Sequence, residues 1–411
     1  MDPRTEAQIA AELVYHAERK ELPPGYVTLP PIPAARYTRQ DFYDLEMERI
    51  FRRSWLCAGR EEDIKESGSY VVWDKLGPSI VIVRGKDDKV RAFYNSCQHR
   101  GARVVKEECG RGNLLRCQYH SWAYDLEGKL VAVPDDERDF GCVNKTEVGL
   151  KPVACETWGG WIFLNLDPKP RPFAEEYAPI IDELDFIKMG RLRIIMRYSK
   201  LLPCSWKAAC EAFQEAYHTQ SVHALARVAV NVHAHSLGLL PEGHSRMVSA
   251  FFPGKATESL QVAEAPRIDT LTNIFKENSF SYLFFPNLAT AQRATGMTFI
   301  MMWPRSLRET EIQSISIAPD WGEGERPAYY EMYNNAYVQL LEEDFGNLSS
   351  IQNSMESGAL ETVRLGWSEQ RIYWSNQEID KRIGLDRVPP ELAVEQVLSG
   401  PVQAPVTMAA E

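Results

Sequence analysis

A chain of 411 residues with 44% apolar and 25% charged side chains has room for two or three domains with ample cores. A formal net charge of −11 and the lack of any long basic run exclude a nucleic-acid footprint and disfavour anionic membranes. No apolar run reaches the roughly eighteen residues of a transmembrane helix.

The N-terminal stretch MDPRTEAQIAAELVYHAERKE mixes acids and bases at helical spacing. It lacks the basic start and apolar centre of a signal peptide, so the expected location is the cytoplasm. A Pro-rich strap, LPPGYVTLPPIPAARY, follows. A helix is then expected, with Thr38 and Asp41 as a capping box and Phe42, Leu45, Ile50, Phe51 and Trp55 on one stripe. From about 68 to 166 the texture is short β-rich runs (70–73, 79–84, 90–95, 123–126, 129–133, 161–166) separated by Gly/Asp/Pro turns. The Pro-rich segment 167–179 reads as a boundary. Beyond it, helical patterns over 174–190 and 204–228 precede strands at 194–201, 246–252, 281–285, 297–303 and 311–318. A helical run over 326–385 closes the pattern. Strands and helices without βαβ alternation predict an α+β protein. The expected division is an N-terminal segment (1–45) packing on the catalytic domain or a subunit interface, an all-β domain (46–168), and a helix-on-antiparallel-sheet domain (169–411).

Chemistry concentrates in two places. Cys97-x-His99 is followed, seventeen residues later, by Cys117-x2-His120. Thiolates with imidazoles select zinc or iron–sulfur clusters. The spacing is that of a Rieske [2Fe-2S] centre, whose two His ligands replace two Cys on one iron. Neutral ligands raise the potential to roughly −150 to +300 mV, against about −400 mV for plant-type ferredoxins. The competing reading is a structural Cys2His2 zinc site. The ligand pairs are far apart for a small finger, and the surroundings are strand-rich rather than ββα. Respiratory Rieske loops generally carry an extra Cys each; here Ala102 and Tyr119 occupy those places, so no disulfide is expected over the cluster. The other six cysteines are expected to be plain thiols.

The second place is residues 206–223, WKAACEAFQEAYHTQSVH, with Glu211, Glu215, His218 and His223. Two His with a carboxylate make a facial-triad non-haem Fe(II) site. Glu215 and His218 share a helical face, but residues five apart on an ideal helix diverge by roughly 140°. His218 and His223 therefore meet only if the helix ends or bulges near Ser221-Val222. His233 and His235, with His244 nearby, compete for the role and rank below His218 and His223. Asp344, in the acidic run Glu342-Glu343-Asp344, is the candidate third ligand; a solvated acidic face is the ordinary meaning of such a run.

Together these motifs resemble the large (α) subunit of Rieske non-haem iron ring-hydroxylating oxygenases, over roughly residues 38–385. The resemblance assigns Cys97, His99, Cys117 and His120 to the cluster. It assigns His218, His223 and Asp344 to a mononuclear Fe(II), through Glu211-Ala212-Phe213-x-Glu215-x-Tyr217-His218-x4-His223 and Glu343-Asp344…Ile351-Gln352. It implies O2 as co-substrate and electrons from NAD(P)H through a separate ferredoxin and/or flavin reductase. No G-x-G-x-x-G nucleotide fingerprint is present in the chain itself. It also implies a homotrimer, with or without a β subunit, in which Glu215 bridges His218 to His120 of the next subunit. Glu215 stands where Asp is frequent, and Ala212 where Asn is frequent. Glu occurs in homotrimeric branches, including those acting on quaternary amines such as carnitine. The expected activity is hydroxylation of an aromatic or related apolar substrate, as in aromatic hydrocarbon catabolism. The alternatives are a quaternary-amine monooxygenase or demethylase, and a Rieske electron-transfer protein. Phe213, Val230, Leu237, Phe252, Phe284 and Phe299 are pocket candidates whose commoner role is core packing.

Overall fold

The computed structural model describes residues 1–224, 226–255 and 265–400. The chain forms two compact units, Arg52–Phe173 and a second built from Met1–Phe51 together with the chain from Ala174 onward.

The Arg52–Phe173 unit is all-β. Its main sheet has the strand order Leu56–Arg60, Trp161–Asn165, Pro152–Trp158, Val90–Tyr94, Ile80–Arg84, Ser69–Trp73, Cys109–Arg111, and every pairing is antiparallel. The interior strand Ile80–Arg84, IVIVR, is buried throughout, which suits a β-branched run. A smaller sheet of Leu115–Arg116, Ala123–Tyr124 and Leu130–Ala132 carries the second Cys/His loop. Its hairpin turns at Asp125, whose Oδ1 accepts from the backbone N–H groups of Glu127 (3.0 Å) and Lys129 (2.8 Å). Gly128 there has φ +84°, and a Cβ on it would meet the Phe93 ring at 2.4 Å. Val81, Val83, Phe93, Val104, Leu115, Trp122, Tyr124 and Leu130 pack into one core with Cys97 and Cys117. Both cysteine loops are thus rooted in the rigid interior.

The other unit is built on a seven-stranded antiparallel sheet ordered Leu192–Leu202, Glu309–Pro319, Gly296–Ser306, Leu288–Arg293, Asn278–Phe284, Ser245–Phe251, Val230–Leu239. Phe284 and Phe299 are fully buried in it, ring centroids 6.1 Å apart, and each contributes about 1.5–3 kcal/mol by burial. They belong to the core and not to a pocket. Helix Trp206–Glu211 packs against Gly296–Ser306, and helix Tyr329–Glu356 packs against Leu192–Leu202. The α+β class expected from the sequence is the class observed.

Several local expectations fail. Arg39, not Thr38, precedes helix Gln40–Glu46, and no side chain caps it. Asp41 instead takes an ion pair from Arg39, a stronger partner than a threonine hydroxyl. The pattern over 326–385 is two helices, Tyr329–Glu356 and Gln370–Ile383; between them Thr362–Val363 pairs with Ile32–Pro33 of the Pro-rich strap. The strand Val230–Leu239 is absent from the expected set although Val230-Asn231-Val232-His233-Ala234-His235 alternates in polarity; a register shift between Val230 and His235 interrupts its pairing.

The N-terminal residues are part of this unit. Helix Pro3–Glu18, capped by Asp2, lies on strand Val230–Leu239, where Ser236 Oγ donates to Glu12 at 2.6 Å. Arg36, wholly buried, donates to Asp380 at 2.7 Å and to the Leu392 carbonyl at 2.7 Å. Glu46 accepts from Lys207 Nζ (2.5 Å) and Trp206 Nε1 (3.0 Å), which pins helix Gln40–Glu46 to the helix that opens the second motif.

Candidate functional site

The two Cys/His loops repeat one backbone design. Cys97 N–H donates to the Ala102 carbonyl (2.8 Å) and its own carbonyl accepts from Gly101 N–H (2.8 Å). Cys117 does the same with Trp122 (2.9 Å) and Ser121 (2.9 Å). The fifth residue of each loop is left-handed, Gly101 at φ +80° and Ser121 at φ +60°. Asn95 secures the first loop: its Oδ1 accepts from Val104 and Val105 N–H at 2.9 and 3.0 Å, and its Nδ2 donates to the Val105 carbonyl.

Cys97 and Cys117 are buried, and His99 and His120 face each other with ring centroids 4.6 Å apart. Trp122 stacks on His99 at 4.9 Å and Phe140 meets it edge-on. Tyr119 lies on His120, ring centroids 3.8 Å apart. All eight cysteines are free. The donor set fits a two-iron cluster better than one ion. His99 Nδ1 is buried without a hydrogen-bond partner. A tetrahedral Cys2His2 zinc site would hold its donors about 3.3–3.8 Å apart. Among the described residues, no three of these four donors lie within 4.8 Å of one another. Tyr124 OH accepts from Gln98 N–H at 3.0 Å and lies 3.3 Å from Cys97 Sγ, within reach to donate to a metal-bound thiolate.

In the second motif, helix Trp206–Glu211 starts at Ser205, whose Oγ accepts from Ala208 N–H, and stops after Glu211. A separate single turn, Thr219–Val222, begins after His218 and ends at His223, whose backbone is extended (φ −96°, ψ 106°). The continuous helix expected over 204–228 is therefore broken, and the break brings the two imidazoles together: His218 Nε2 and His223 Nε2 are 3.1 Å apart. Asp344 Oδ1 lies 3.3 Å from the first and 3.1 Å from the second. Three donors at about 2.1 Å from one ion with right angles between them would be about 3.0 Å apart, against about 3.4 Å in a tetrahedron. The observed 3.1–3.3 Å lies between the two, so all three donors can reach one ion.

Carboxylates hold the outer edges of both rings. Glu215 Oε1 is hydrogen-bonded to His218 Nδ1, and Glu343 Oε2 to His223 Nδ1 at 2.9 Å. Protons on the outer nitrogens leave both inner Nε2 lone pairs directed at a carboxylate oxygen, an arrangement that a cation satisfies. Without metal, burial disfavours charge on His218, but hydrogen bonds and charge from Asp344 and Glu215 prevail and raise it to about 10. His223 is raised likewise, against its burial, chiefly by Asp344. Asp344 is held below the usual carboxylate range by the two imidazoles, although burial opposes this.

The remaining candidates lie elsewhere. Glu211 accepts from Tyr37 OH (2.6 Å) and Asn376 Nδ2 (3.3 Å) and is pushed up to about 7 by burial. His233 is exposed, while His235 is buried and donates Nδ1–H to the Val232 carbonyl at 2.8 Å. His244 donates to the Glu176 carbonyl and accepts from Phe285 N–H. Glu342 turns to Tyr198 and Lys200. Asp344 had a legible signal: Tyr330, Tyr333, Tyr337, Leu341, Asp344, Leu348, Gln352 and Met355 form one buried stripe, in which an aspartate is out of character. The roles of Glu343, Tyr124 and Asn95 were missed.

A model of the Rieske [2Fe-2S] domain matches residues 54–151, and one of the ring hydroxylating alpha subunit catalytic domain matches residues 183–385. The chain is 36% identical over 197 residues to the benzene 1,2-dioxygenase alpha subunit of Pseudomonas putida (47% of this chain, 44% of that one). It is 31% identical over 196 residues to the carnitine monooxygenase oxygenase subunit of Escherichia coli K12 (47% and 52%). The aligned part thus spans about half the length of the curated relatives it matches. The fold is shared with a solved quaternary ammonium Rieske monooxygenase (TM-score 0.75, 20% identity, 87% of this chain and 96% of that one). It is shared too with naphthalene 1,2-dioxygenase from Rhodococcus (TM-score 0.73, 20% identity, 94% and 100%). With a Rieske domain followed by a ring-hydroxylating catalytic domain, the chain belongs to the Rieske oxygenase alpha-subunit family.

Proposed function

We propose that this chain is the terminal oxygenase component of a Rieske oxygenase system. It would use O2 and electrons from NAD(P)H, delivered by a separate reductase or ferredoxin, to hydroxylate an aromatic or related apolar substrate. The observation that carries the reading is the convergence of His218, His223 and Asp344 at 3.1–3.3 Å in a chain that also bears a Rieske domain. A protein that only relays electrons has no use for a second donor set. Cys97, His99, Cys117 and His120 would hold the cluster; His218, His223 and Asp344 would hold the mononuclear iron. When bound, the two groups supply single electrons and a site for oxygen chemistry.

The polypeptide's part is to orient and to shield. Glu215 sets the tautomer of His218. Ala226, Val230 and Val232, with Phe251 and Leu340, form an apolar cluster. It follows His223 by three residues and precedes Asp344 by four, a setting that favours an apolar substrate. Glu215 would carry electrons from His120 of a neighbouring subunit to His218 in a homotrimer working in the cytoplasm. A second reading, oxidation of a quaternary amine, draws on Tyr333 and Tyr337. Their rings stack at 6.2 Å on the stripe that leads to Asp344, and aromatic faces attract such cations.

A screen of arenes and quaternary amines tests the proposal, using O2 uptake and product formation with a surrogate reductase and NADH. Substrate-dependent uptake that His218→Ala abolishes supports it. Cluster reduction without any substrate-dependent uptake across both classes rejects it.

A further inference from the structure

Resting on the metal-site reading above, we propose that Glu343 is the positioning residue of His223, fixing its tautomer and its ring plane for the metal. The run Glu342-Glu343-Asp344 reads as a solvated face, but its last two members share one imidazole. Glu342 meets Tyr198 and Lys200 at the surface. Glu343 reaches His223 Nδ1 at 2.9 Å, and Asp344 reaches His223 Nε2 at 3.1 Å.

Consecutive residues on one helical turn thus grip the two nitrogens of a single ring, from a helix 120 residues further along the chain. The oxygen at Nδ1 accepts only if that nitrogen carries the proton. This leaves the Nε2 lone pair directed inward at Asp344 and His218. Among the described residues the ring has no other brace of this kind: His218 has its own, three residues upstream in Glu215, whereas the turn Thr219–Val222 offers His223 no carboxylate. The His223 side chain is nearly buried, and that of Glu343 is 24% exposed. Water therefore competes for the outer nitrogen if Glu343 is lost, and the unbraced ring interconverts between tautomers, one of which directs N–H at the metal.

The test uses the full chain with its cluster loaded, stripped of mononuclear metal by a chelator and titrated with Co(II) alone. Glu343→Gln keeps an acceptor oxygen and removes the charge; Glu343→Leu removes both. Affinity is expected to fall about 10-fold in the first and about 100-fold in the second, with the cluster's visible spectrum unchanged. Proton NMR of the Co(II)-loaded chain should show two exchangeable, hyperfine-shifted imidazole N–H signals. Only the one from His223 should exchange faster in Glu343→Leu. Asp344→Ala separates the two layers of the argument. If it binds Co(II) as tightly as the parent, the triad itself is wrong and this proposal falls with it. If it loses Co(II) while Glu343→Leu binds within twofold of the parent and keeps both N–H signals, the role of Glu343 alone is overturned.

Discussion

Glu215 closes on His218 twice: one carboxylate oxygen accepts the backbone N–H of His218 at 3.1 Å, and the other holds its ring Nδ1. The i,i+3 spacing makes this possible within one turn of chain, and it fixes both the position of the ring and its tautomer. The carboxylate is bound to the one metal-site imidazole that has its brace close by in sequence.

Glu215→Gln is expected to retain both metal groups, because Gln still accepts a hydrogen bond. Electron delivery should drop by at least 10–100-fold through loss of the charge-assisted bond. With the cluster pre-reduced, single-turnover product yield reads this directly. A yield equal to the parent's removes Glu215 from the electron route.

Tyr124 OH lies 3.3 Å from Cys97 Sγ, and a hydrogen bond given to a cluster-bound thiolate stabilises the more negative, reduced cluster. Tyr124→Phe should lower the potential by an amount on the order of tens of millivolts, the equivalent of one hydrogen bond of about 1 kcal/mol. Protein-film voltammetry measures it. An unchanged or higher potential means that the hydroxyl does not act on the sulfur.

Burial raises Glu211 to about 7, with Tyr37 and Asn376 partly opposing. The folded state then binds this proton more tightly than the unfolded chain does. Its stability contribution is full below about 4.5 and is lost as pH rises through about 7, a difference on the order of 3 kcal/mol. Glu211→Gln keeps the neutral form at every pH. Urea midpoints of parent and variant should therefore diverge from pH 5 to pH 8 in favour of the variant. Parallel midpoints would show that Glu211 ionises freely in the fold.

Lys207 and Glu46 are a buried pair whose ammonium also lies 5.3–5.5 Å from the ring centroids of Tyr37, Phe42 and Trp206. Removing one partner leaves the other charge stranded. Lys207→Met should cost about 3–5 kcal/mol, and the double change Glu46→Leu with Lys207→Met distinctly less. Chemical denaturation of the three variants checks this. Equal losses in the single and double variants would mean that packing, not charge, dominates.

Much of the site was legible because its spacing is local. Cys97-x-His99 and Cys117-x2-His120 each fit one loop, and Glu215 with His218 fits one turn. His223 needed a helix end, which propensity places near Ser221-Val222; the structure ends the turn Thr219–Val222 at His223 and also stops the preceding helix at Glu211. Asp344 was legible in principle through the buried stripe from Tyr330 to Met355, since polarity in a buried register is a signal that a bare acidic run lacks. Glu343 was not, because its partner lies 120 residues away and only the fold joins them. The same holds for Asn95, which looks like an ordinary strand end until its hydrogen bonds to Val104 and Val105 are seen. The missed capping geometry at Thr38 reflects competition: Arg39 offers Asp41 a charge, and local motifs yield to stronger partners.

The central claim is that one polypeptide holds two distinct iron groups, and metal and sulfide analysis joined to EPR tests it most directly. The account predicts about three iron and two acid-labile sulfide per chain, with a Rieske signal on reduction and a separate high-spin signal when NO is added to the ferrous protein. In Asp344→Ala, iron should fall to about two per chain with the Rieske signal intact. A colourless parent that binds only zinc, or an Asp344→Ala variant that keeps the third iron and its NO signal, would contradict it.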